Sequence, residues 1–487
     1  MNKLAQKTVN GAAINIFVTV SKTVLQFAVV LPILARVLTP ADFGLVGMAM
    51  AFVAFFTMFN DLGISAALVR AKDPSRAFWS TAFWTNFVLG CGLTIGVFYA
   101  APWIAGFYGE PQVEPLVEAL SAVLFMHCIM LVPMAWLQRN FRFRTIALID
   151  LCATLVSAAI AIWAALAGAG VWALVYQQVS MFLLRTLGSL LTHRAPLRLT
   201  YKFRTIVEVL PFSLGLTGTG LVGFVSRNSD SILIGRFMGS DALGFYGRAY
   251  QIMLMPVRSL AQSASFALYP AMSELQNDRA VLGRVLLKAI SILCTLIVPM
   301  MTGVAIVAAP FVGLVFGEQW APVVPILQSL AFVGIIQSIM ATSNVAFKAI
   351  GRSDILLRWS LIRMVVFVGV FLIGIHLQSL PALAAIYLVA NILLYIPFQL
   401  EALRHLKLRF VDLIGALTPQ TVSALFMAAC LLSFQYSVPS MVDWADRIQL
   451  LVLIPLGVAS YGLAMLVMFR KFVRETISEA QALFLKK

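Results

Sequence analysis

The sequence predicts an all-α polytopic membrane protein with about fourteen transmembrane helices. Three observations favour this fold class: 61% of the 487 residues are hydrophobic, 11% are charged, and the mean hydropathy is +0.94. A water-soluble domain carries about 25% charged residues, so this composition excludes an ordinary soluble enzyme. Fourteen apolar runs of about 20 residues can be placed along the chain, and each is long enough to cross ~30 Å of hydrocarbon.

The predicted spans form two sets of six, followed by a final pair. The first six lie at about 12–35, 43–67, 78–101, 116–137, 146–167 and 170–192. The next six lie at about 207–235, 243–268, 285–309, 323–347, 356–376 and 380–400, and the last two at 414–435 and 448–469. Connections as short as Gly168-Ala169-Gly170 make consecutive spans antiparallel neighbours.

This arrangement divides the chain into five segments. They are an N-lobe at 1–193, a basic cytoplasmic linker at 194–205, a C-lobe at 206–401, the last two spans at 402–470, and a tail at 471–487. The tail has the pattern of a short amphipathic helix on the cytoplasmic membrane surface. A solvated charged tail is the alternative interpretation.

The basic residues fall almost entirely on one side of the predicted membrane. With a cytoplasmic N-terminus, 26 of the 35 Lys and Arg residues lie on the inner side, three on the outer side and six within spans. The positive-inside rule therefore predicts that both termini are cytoplasmic. Since this asymmetry accounts for the net charge of +15, we do not expect nucleic acid as a partner.

The chain lacks the sequence signatures of catalytic and metal sites. Its five cysteines lie far apart in apolar stretches, and it has no CxxC, HExxH, GxSxG or GxxxxGKS/T motif. We therefore predict no catalytic residues, no bound metal and no cofactor, and a protein that is not an enzyme.

Two pairs of segments repeat along the chain without gaps. Residues 36–47 align with 236–247, sharing an arginine and two glycines, and residues 101–110 align with 309–318. Both pairs connect equivalent spans outside the membrane. They predict two six-helix lobes of the same topology, with the last two helices appended. Two parallel lobes around a central cavity are typical of transporters, in which one lobe rocks against the other to give alternating access.

Six cations lie within the predicted spans: Lys22, Arg185, Arg227, Arg248, Arg258 and Arg363. The acidic residues clearly inside spans are Asp61 and Asp230, and Asp150 lies near an inner helix end. A central charge costs at least ~2.5–3.5 kcal/mol on insertion scales, so each cation needs a partner or a water-filled cavity. The excess predicts a cationic cavity suited to an anionic group such as a pyrophosphate.

Lys22 and Arg258 are predicted to contact that anion. Lys22 lies ~21 Å along the first span from Arg36, near the midplane, and Arg258 lies in the central-to-inner part of the eighth span. The two residues come from different lobes and together can clamp one head group across the interface. An ion pair with Asp61 is the alternative for Lys22, and snorkelling or a carbonyl contact is the alternative for Arg258.

The remaining charged candidates have less central positions. Arg248 lies near the outer end of the eighth span and is predicted on an exit path, while Arg363 lies in the inner half of its span and either lines the cavity or snorkels. Arg227 and Asp230 are three residues apart on the seventh span, which places them on one helix face. They predict a structural ion pair or, with Asp61, a gate.

The seventh span also contains residues that favour bending: Pro211, Gly215, Gly218, Gly220 and Gly223. Proline removes a backbone hydrogen bond and glycine loosens a helix, so we predict a gating hinge in this span. Close packing of small residues against a neighbouring helix is the alternative.

A sequence motif joins the seventh and eighth spans. It consists of Asp230-Ser231-Ile232-Leu233-Ile234-Gly235-Arg236, Leu243-Gly244-Phe245-Tyr246 and Ala249-Tyr250. These residues resemble the D-x-x-x-I-G-R, L-G-x-Y and A-Y run of the polysaccharide-exporter (Wzx-type) family in the multidrug/oligosaccharidyl-lipid/polysaccharide (MOP) flippase superfamily. Residues 34–44 are similar to the first loop of that family.

This resemblance implies a flippase of the bacterial cytoplasmic (inner) membrane. Its substrate would be an undecaprenyl-pyrophosphate-linked oligosaccharide repeat unit, moved from the cytoplasmic to the periplasmic leaflet. The product would serve exopolysaccharide, capsule or O-antigen assembly, and a polymerase and other polysaccharide-assembly proteins are implied as partners. Coupling to Na⁺ or H⁺ is left open.

Three other function classes compete with this one. A peptidoglycan-precursor lipid flippase fits the fourteen spans and the cationic cavity nearly as well, and only the motif across the seventh and eighth spans argues against it. A cation-coupled multidrug exporter of the same superfamily typically has twelve spans and acidic residues in its cavity. A membrane-embedded glycosyltransferase or polymerase has a large periplasmic loop, whereas the longest outer loops here have about 15 residues.

Overall fold

All regular elements that the structure describes are helices, which confirms the all-α fold class. The structure is a computed structural model. It describes residues 21–60, 75–192, 200–438 and 444–474, together with Val18, Leu68 and Ser478. The side chains of residues 203–223, 225–227 and 261–267 lie outside this description.

The first compact unit runs from Met1 to Gly244. Its helices are α1 (Leu31–Val37), α2 (Pro40–Thr57), α3 (Arg76–Tyr108), α4 (Val113–Arg139), α5 (Phe143–Leu166) and α6 (Trp172–Thr192). A π-helical turn at Gln26–Val30 precedes α1. The long helix α7 (Phe203–Glu274) begins in this unit, and its backbone leaves helical geometry at Gly239, where φ is 84°.

The second compact unit runs from Phe245 to Lys487 and begins with the remainder of α7. Its other helices are α8 (Arg279–Ile306), α9 (Ala308–Val315), α10 (Val323–Ala349), α11 (Ser353–His376), α12 (Leu380–His405), α13 (Phe410–Ser437) and α14 (Asp446–Met468). Residues 470–474 form a further helical turn; the rest of the predicted tail, apart from Ser478, lies outside the described residues.

Ten of the described helices are long and apolar enough to cross a membrane. They are α2 to α5, α8 and α10 to α14. The chain is therefore a multi-pass membrane protein. The total of fourteen spans, the cytoplasmic location of both termini and the lobe boundaries remain predictions.

The start of α2 is fixed by the local sequence Thr39-Pro40-Ala41-Asp42. Thr39 Oγ1 accepts a hydrogen bond from the Asp42 N–H at 3.3 Å, and the Asp42 carboxylate accepts one from the Thr39 N–H at 2.8 Å. This reciprocal capping satisfies two N–H groups that the first helical turn leaves unpaired. Pro40 occupies the first helical position, where it gives up no hydrogen bond.

Two predicted span boundaries lie near local changes in the backbone. The second span is predicted to reach residue 67; α2 ends at Thr57, where the N–H groups of Met58, Phe59 and Asn60 donate to carbonyls three residues back, and residues 61–67 lie outside the described residues. The connection between the seventh and eighth spans is shorter than predicted, because Gly239 is the residue within α7 that departs from helical geometry. Its φ of 84° lies in the left-handed region that glycine adopts without strain.

The second pair of repeated segments has a glycine with positive φ at the same position in each segment. Gly109 ends α3 with φ of 73°, and Gly317 follows α9 with φ of 97°. Both positive φ values favour glycine, but only Gly109, with ψ of 21°, has the left-handed helical conformation of a C-cap; ψ at Gly317 is 169°. The two glycines occupy the same place in the aligned segments 101–110 and 309–318, which supports their equivalence.

Apolar side chains pack each unit internally. In the first unit, Trp79 and Ala82 of α3 pack with Val132 and Ala135 of α4. In the second unit, a larger cluster around Leu286 joins α8 to α10, α12 and α13. Each cluster joins helices within its own unit.

Candidate functional site

Charged residues of the first unit meet at Asp150 on α5. Lys22, which precedes the π-helical turn, places Nζ 2.9 Å from Asp150 Oδ2. Arg185 on α6 places Nε 2.8 Å from Oδ1, although its N–H is not directed at that oxygen. The three side chains are 17–28% exposed, so none of them is completely enclosed by the packed helices. We call these residues the Asp150 cluster; two cations around one carboxylate leave it with a single surplus positive charge.

The Asp150 cluster changes the interpretation of Lys22. The sequence offers Asp61 as its ion-pair partner, but among the described residues Lys22 pairs with Asp150. Asp61 itself lies outside the described residues. The two paired residues are 128 positions apart, so no local spacing could indicate the contact.

A second polar contact joins α4 to the turn that follows α2. His127 Nδ1 lies 2.8 Å from Asn60 Nδ2, so the amide donates to the ring nitrogen, and Arg185 acts electrostatically on the imidazole. Asn60 is fully buried, and its Oδ1 has no hydrogen-bond partner among the described residues. This contact was not predicted from the sequence. A single histidine within an apolar span is the feature that could have indicated a buried polar contact.

Asp230 is buried in the first part of α7. Its Oδ1 accepts a hydrogen bond from the Ser231 N–H at 2.7 Å and one from Ser231 Oγ at 3.3 Å. The side chain of Arg227 lies outside the described residues, so the Arg227–Asp230 pair remains a prediction. The same holds for the hinge residues, whose backbone is helical within α7: Pro211, Gly215, Gly218, Gly220 and Gly223.

The other candidate cations lie in the second unit, in three different surroundings. Arg248 is half-buried, and its Nη1 donates to Oε1 of Gln251. Arg258 is exposed. Arg363 on α11 donates from Nε to the carbonyl of Trp359 at 3.2 Å, and its guanidinium lies 5.8 Å from the ring centre of Phe398. The described side chains therefore do not gather these three cations into one cluster.

The repeated turns 36–44 and 236–244 pack directly against each other. A Cβ added to Gly44 would overlap the carbonyl oxygen of Ser240, and a Cβ added to Gly244 would overlap the carbonyl oxygen of Pro40. Positions 40 and 240 are equivalent in the repeat, as are 44 and 244, so the two contacts are reciprocal. We call this arrangement the twin turns. It allows backbone to meet backbone because neither glycine has a side chain.

Residues of α3 and the following loop border the twin turns. The Arg236 guanidinium lies 5.7 Å from the ring centre of Phe107, within cation–π range. Ser240 Oγ lies 3.4 Å from Glu110 Oε1. The sequence predicts the equivalence of the two turns, whereas their mutual contact is visible only in the structure.

The groups available in the Asp150 cluster are an ammonium, a guanidinium and a carboxylate. Cationic donors of these types form strong hydrogen bonds with carboxylate and phosphate oxygens. Among the described residues, no three His, Cys, Asp or Glu side chains are grouped so that they could hold a metal ion. The cluster therefore provides positive charge and hydrogen-bond donors.

Comparisons with known proteins agree on family and fold. Residues 33–325 match the family described as polysaccharide biosynthesis protein. The succinoglycan biosynthesis transport protein ExoT of Rhizobium meliloti is 26% identical, over 93% of this chain and 92% of its own. The lipopolysaccharide biosynthesis protein WzxC of Escherichia coli is 26% identical, over 76% of each chain.

Among solved structures, the lipid II flippase MurJ in an inward closed conformation is similar with a TM-score of 0.73. The match has 14% identity and covers 96% of this chain and 100% of the other, so it shows the fold alone. The family match, in contrast, covers more than half of the chain. The protein therefore belongs to the polysaccharide biosynthesis protein family.

Proposed function

We propose that this protein is a flippase, not an enzyme, for undecaprenyl-pyrophosphate-linked oligosaccharide repeat units. It moves them from the cytoplasmic to the periplasmic leaflet of a bacterial inner membrane, where a polymerase and other assembly proteins use them for surface polysaccharide. The family assignment and the transport function in the name of ExoT support this proposal.

The observation that carries the proposal is the surplus cation of the Asp150 cluster. Asp150 holds Lys22 and Arg185 within 3 Å of one carboxylate, which positions both cations before a substrate arrives. An anionic pyrophosphate can then bind without the entropy cost of ordering two flexible side chains. We propose that Lys22 contacts the pyrophosphate. Arg258 remains the second predicted contact, as the sequence suggests. We propose that Arg248 and Arg363 line the path along which the pyrophosphate moves.

The membrane potential favours the proposed direction. Moving a head group of charge about −2 outward, against a potential of 100 mV that is negative inside, releases ~4.6 kcal/mol. Export of the anion therefore requires no nucleotide hydrolysis in principle. Coupling to Na⁺ or H⁺ is compatible with the same cycle.

Alternating access assigns a role to the twin turns. In the predicted topology they lie on the periplasmic side, where their backbone contact would keep the two repeated hairpins together. Opening to the periplasm would then require Gly44 and Gly244 to leave their partner carbonyls. Bending at the predicted hinge of α7 would accompany this step, with Asp230 and Arg227 as the proposed charged gate.

A peptidoglycan-precursor flippase is the second candidate, because the fold is similar to that of the lipid II flippase. Both functions place a pyrophosphate at Lys22, so the glycan distinguishes them. The multidrug exporter is less well supported, because a cavity for cationic drugs needs surplus acidic groups and the Asp150 cluster has surplus basic ones.

The test uses a strain that lacks the gene and has no second exporter for its surface glycan. We expect lipid-linked repeat units to accumulate in the cytoplasmic leaflet, with loss of surface polysaccharide and rescue by the intact gene. Lys22→Gln should rescue at least tenfold less well, and the exposed Lys348→Gln should rescue fully as a matched control. Accumulation of peptidoglycan precursor and cell lysis would favour the second candidate. Normal surface glycan in the deletion strain would refute the proposal.

A further inference from the structure

A crevice of about 250 Å³ lies between α8 and α13 in the second unit. Lys288 and Ile292 of α8 form one wall, and Gly415 and Pro419 of α13 form the opposite wall. Phe472, from the helical turn after α14, lines the remaining side. The lining is therefore apolar except for one ammonium group and the hydroxyl of a serine.

Gly415 keeps the crevice open. No heavy atom lies within 4 Å of the position that a Cβ on Gly415 would occupy. Nearby, hydrogen bonds fix the spacing of the two helices: Gln420 Nε2 donates to Ser291 Oγ at 2.7 Å, and Ser291 Oγ donates to the carbonyl of Ala416 at 3.0 Å. The helices therefore cannot close over the missing side chain without breaking these bonds.

The position of Lys288 along α8 fits the level of the lipid head groups in the predicted topology. Eighteen residues separate it from Ile306, the last residue of α8, which is ~27 Å along the helix axis and close to the ~30 Å hydrocarbon thickness. The exposed Arg284 lies one turn before Lys288 on the same helix face. These two cations repel each other and together attract an anion.

We propose that this crevice binds an acidic phospholipid. Its phosphate lies at Lys288, and an acyl chain follows Ile292 and Pro419 towards the hydrocarbon centre. Along α8 the charged Lys288 is followed by the apolar Ile292, which is the order of an anionic head group and its acyl chain. A zwitterionic lipid fits less well, because its own ammonium would be held beside Arg284. In the predicted topology, the lipid belongs to the cytoplasmic leaflet.

The experiment measures lipid binding to the full-length purified protein by native mass spectrometry, with phosphatidylglycerol as the probe and phosphatidylcholine as the zwitterionic comparison. We expect Lys288→Gln to weaken phosphatidylglycerol binding about fivefold, the equivalent of the ~1 kcal/mol that one lysine contributes beside an anionic lipid surface. Gly415→Leu fills the crevice at a position with free space and should weaken binding at least as much. Lys348→Gln, an exposed lysine at the end of α10, is the matched control and should bind as the unaltered protein does.

Equal binding of the two lipids, or unchanged binding in both Lys288→Gln and Gly415→Leu, would overturn the proposal. A polyprenyl pyrophosphate that displaces phosphatidylglycerol from the unaltered protein, but not from Gly415→Leu, would also overturn it in favour of a substrate-lipid site. The assay involves no transport measurement, so its outcome is independent of the proposed function.

Discussion

Asp150 has two cationic neighbours, and the consequences of losing one charge depend on which charge is lost. Without Lys22, Asp150 and Arg185 remain as a neutral pair 2.8 Å apart. Without the carboxylate, two cations remain beside a neutral group within the membrane. Breaking an ion pair by removing one partner is costly where the remaining charge has little access to water. The cluster should therefore tolerate the loss of Lys22 better than the loss of Asp150.

This asymmetry gives a prediction for stability. We expect Asp150→Asn to lower the free energy of unfolding by about 1–3 kcal/mol, less than for a fully buried pair because the side chains are partly exposed. Lys22→Gln should cost less than about 1 kcal/mol, since the remaining pair is neutral. Thermal unfolding of the detergent-purified variants would measure both effects.

The double variant Lys22→Gln/Asp150→Asn is the control for this comparison. Residues in direct contact show coupling energies of about 0.5–3 kcal/mol, so the double variant should be more stable than the sum of the single changes indicates. Strict additivity would show that Lys22 and Asp150 do not interact in the protein in solution.

At the scale of elements, the twin turns connect two hairpins that are distant in sequence. Each turn ends one helix and begins another, and each supplies one glycine and one carbonyl to the contact. In the first turn, the Thr39–Asp42 capping pair fixes the start of α2, while the second turns at Gly239 alone. The two repeats thus reach the same contact with different local turn chemistry.

The reciprocity of this contact predicts non-additive mutations. Gly44→Ala or Gly244→Ala should force the turns apart and cost about 1–3 kcal/mol, as overpacking typically does. Either change already separates the backbones, so the double variant should lose little more than a single one. The measurements are apparent melting temperature and the rate of repeat-unit export in cells.

Gly247→Ala provides the control for the glycine series. Gly247 belongs to the same aligned segment, but no heavy atom lies within 4 Å of its added Cβ. Its substitution should leave stability and export within error of the unaltered protein. Additive losses in Gly44→Ala/Gly244→Ala would mean that the two glycines pack independently, against the arrangement described here.

At the scale of the whole molecule, composition and internal repetition were sufficient to predict the helical class and the equivalence of the twin turns. The charge pairing was not predictable in the same way. Lys22 and Asp150 come together only because segments far apart in sequence pack as neighbours. Inspection of each span separately cannot identify such a partner. The turn after Thr57 was not predicted either, because apolar residues surround the buried Asn60 that contacts His127.

Topology is the whole-molecule property that is most directly testable. An even number of spans and the basic inner loops predict that both termini are cytoplasmic. A green fluorescent protein fused to the C-terminus should therefore fluoresce, and alkaline phosphatase fused there should be inactive. Alkaline phosphatase inserted after Gly109, at a predicted outer turn, should be active. The reverse activities would require an odd number of spans or the opposite orientation.

The Lys22–Asp150 pair also has a consequence for biosynthesis. The two residues are 128 positions apart, and a ribosome adds ~5–20 residues per second, so Asp150 is made roughly 6–26 s after Lys22. During that interval the first segment lacks the Asp150 carboxylate, and an unpaired ammonium at the midplane depth predicted for Lys22 costs at least ~2.5 kcal/mol. The nascent segment must therefore stay beside water or the insertion machinery until α5 arrives. The order of translation delays the release of this segment into lipid.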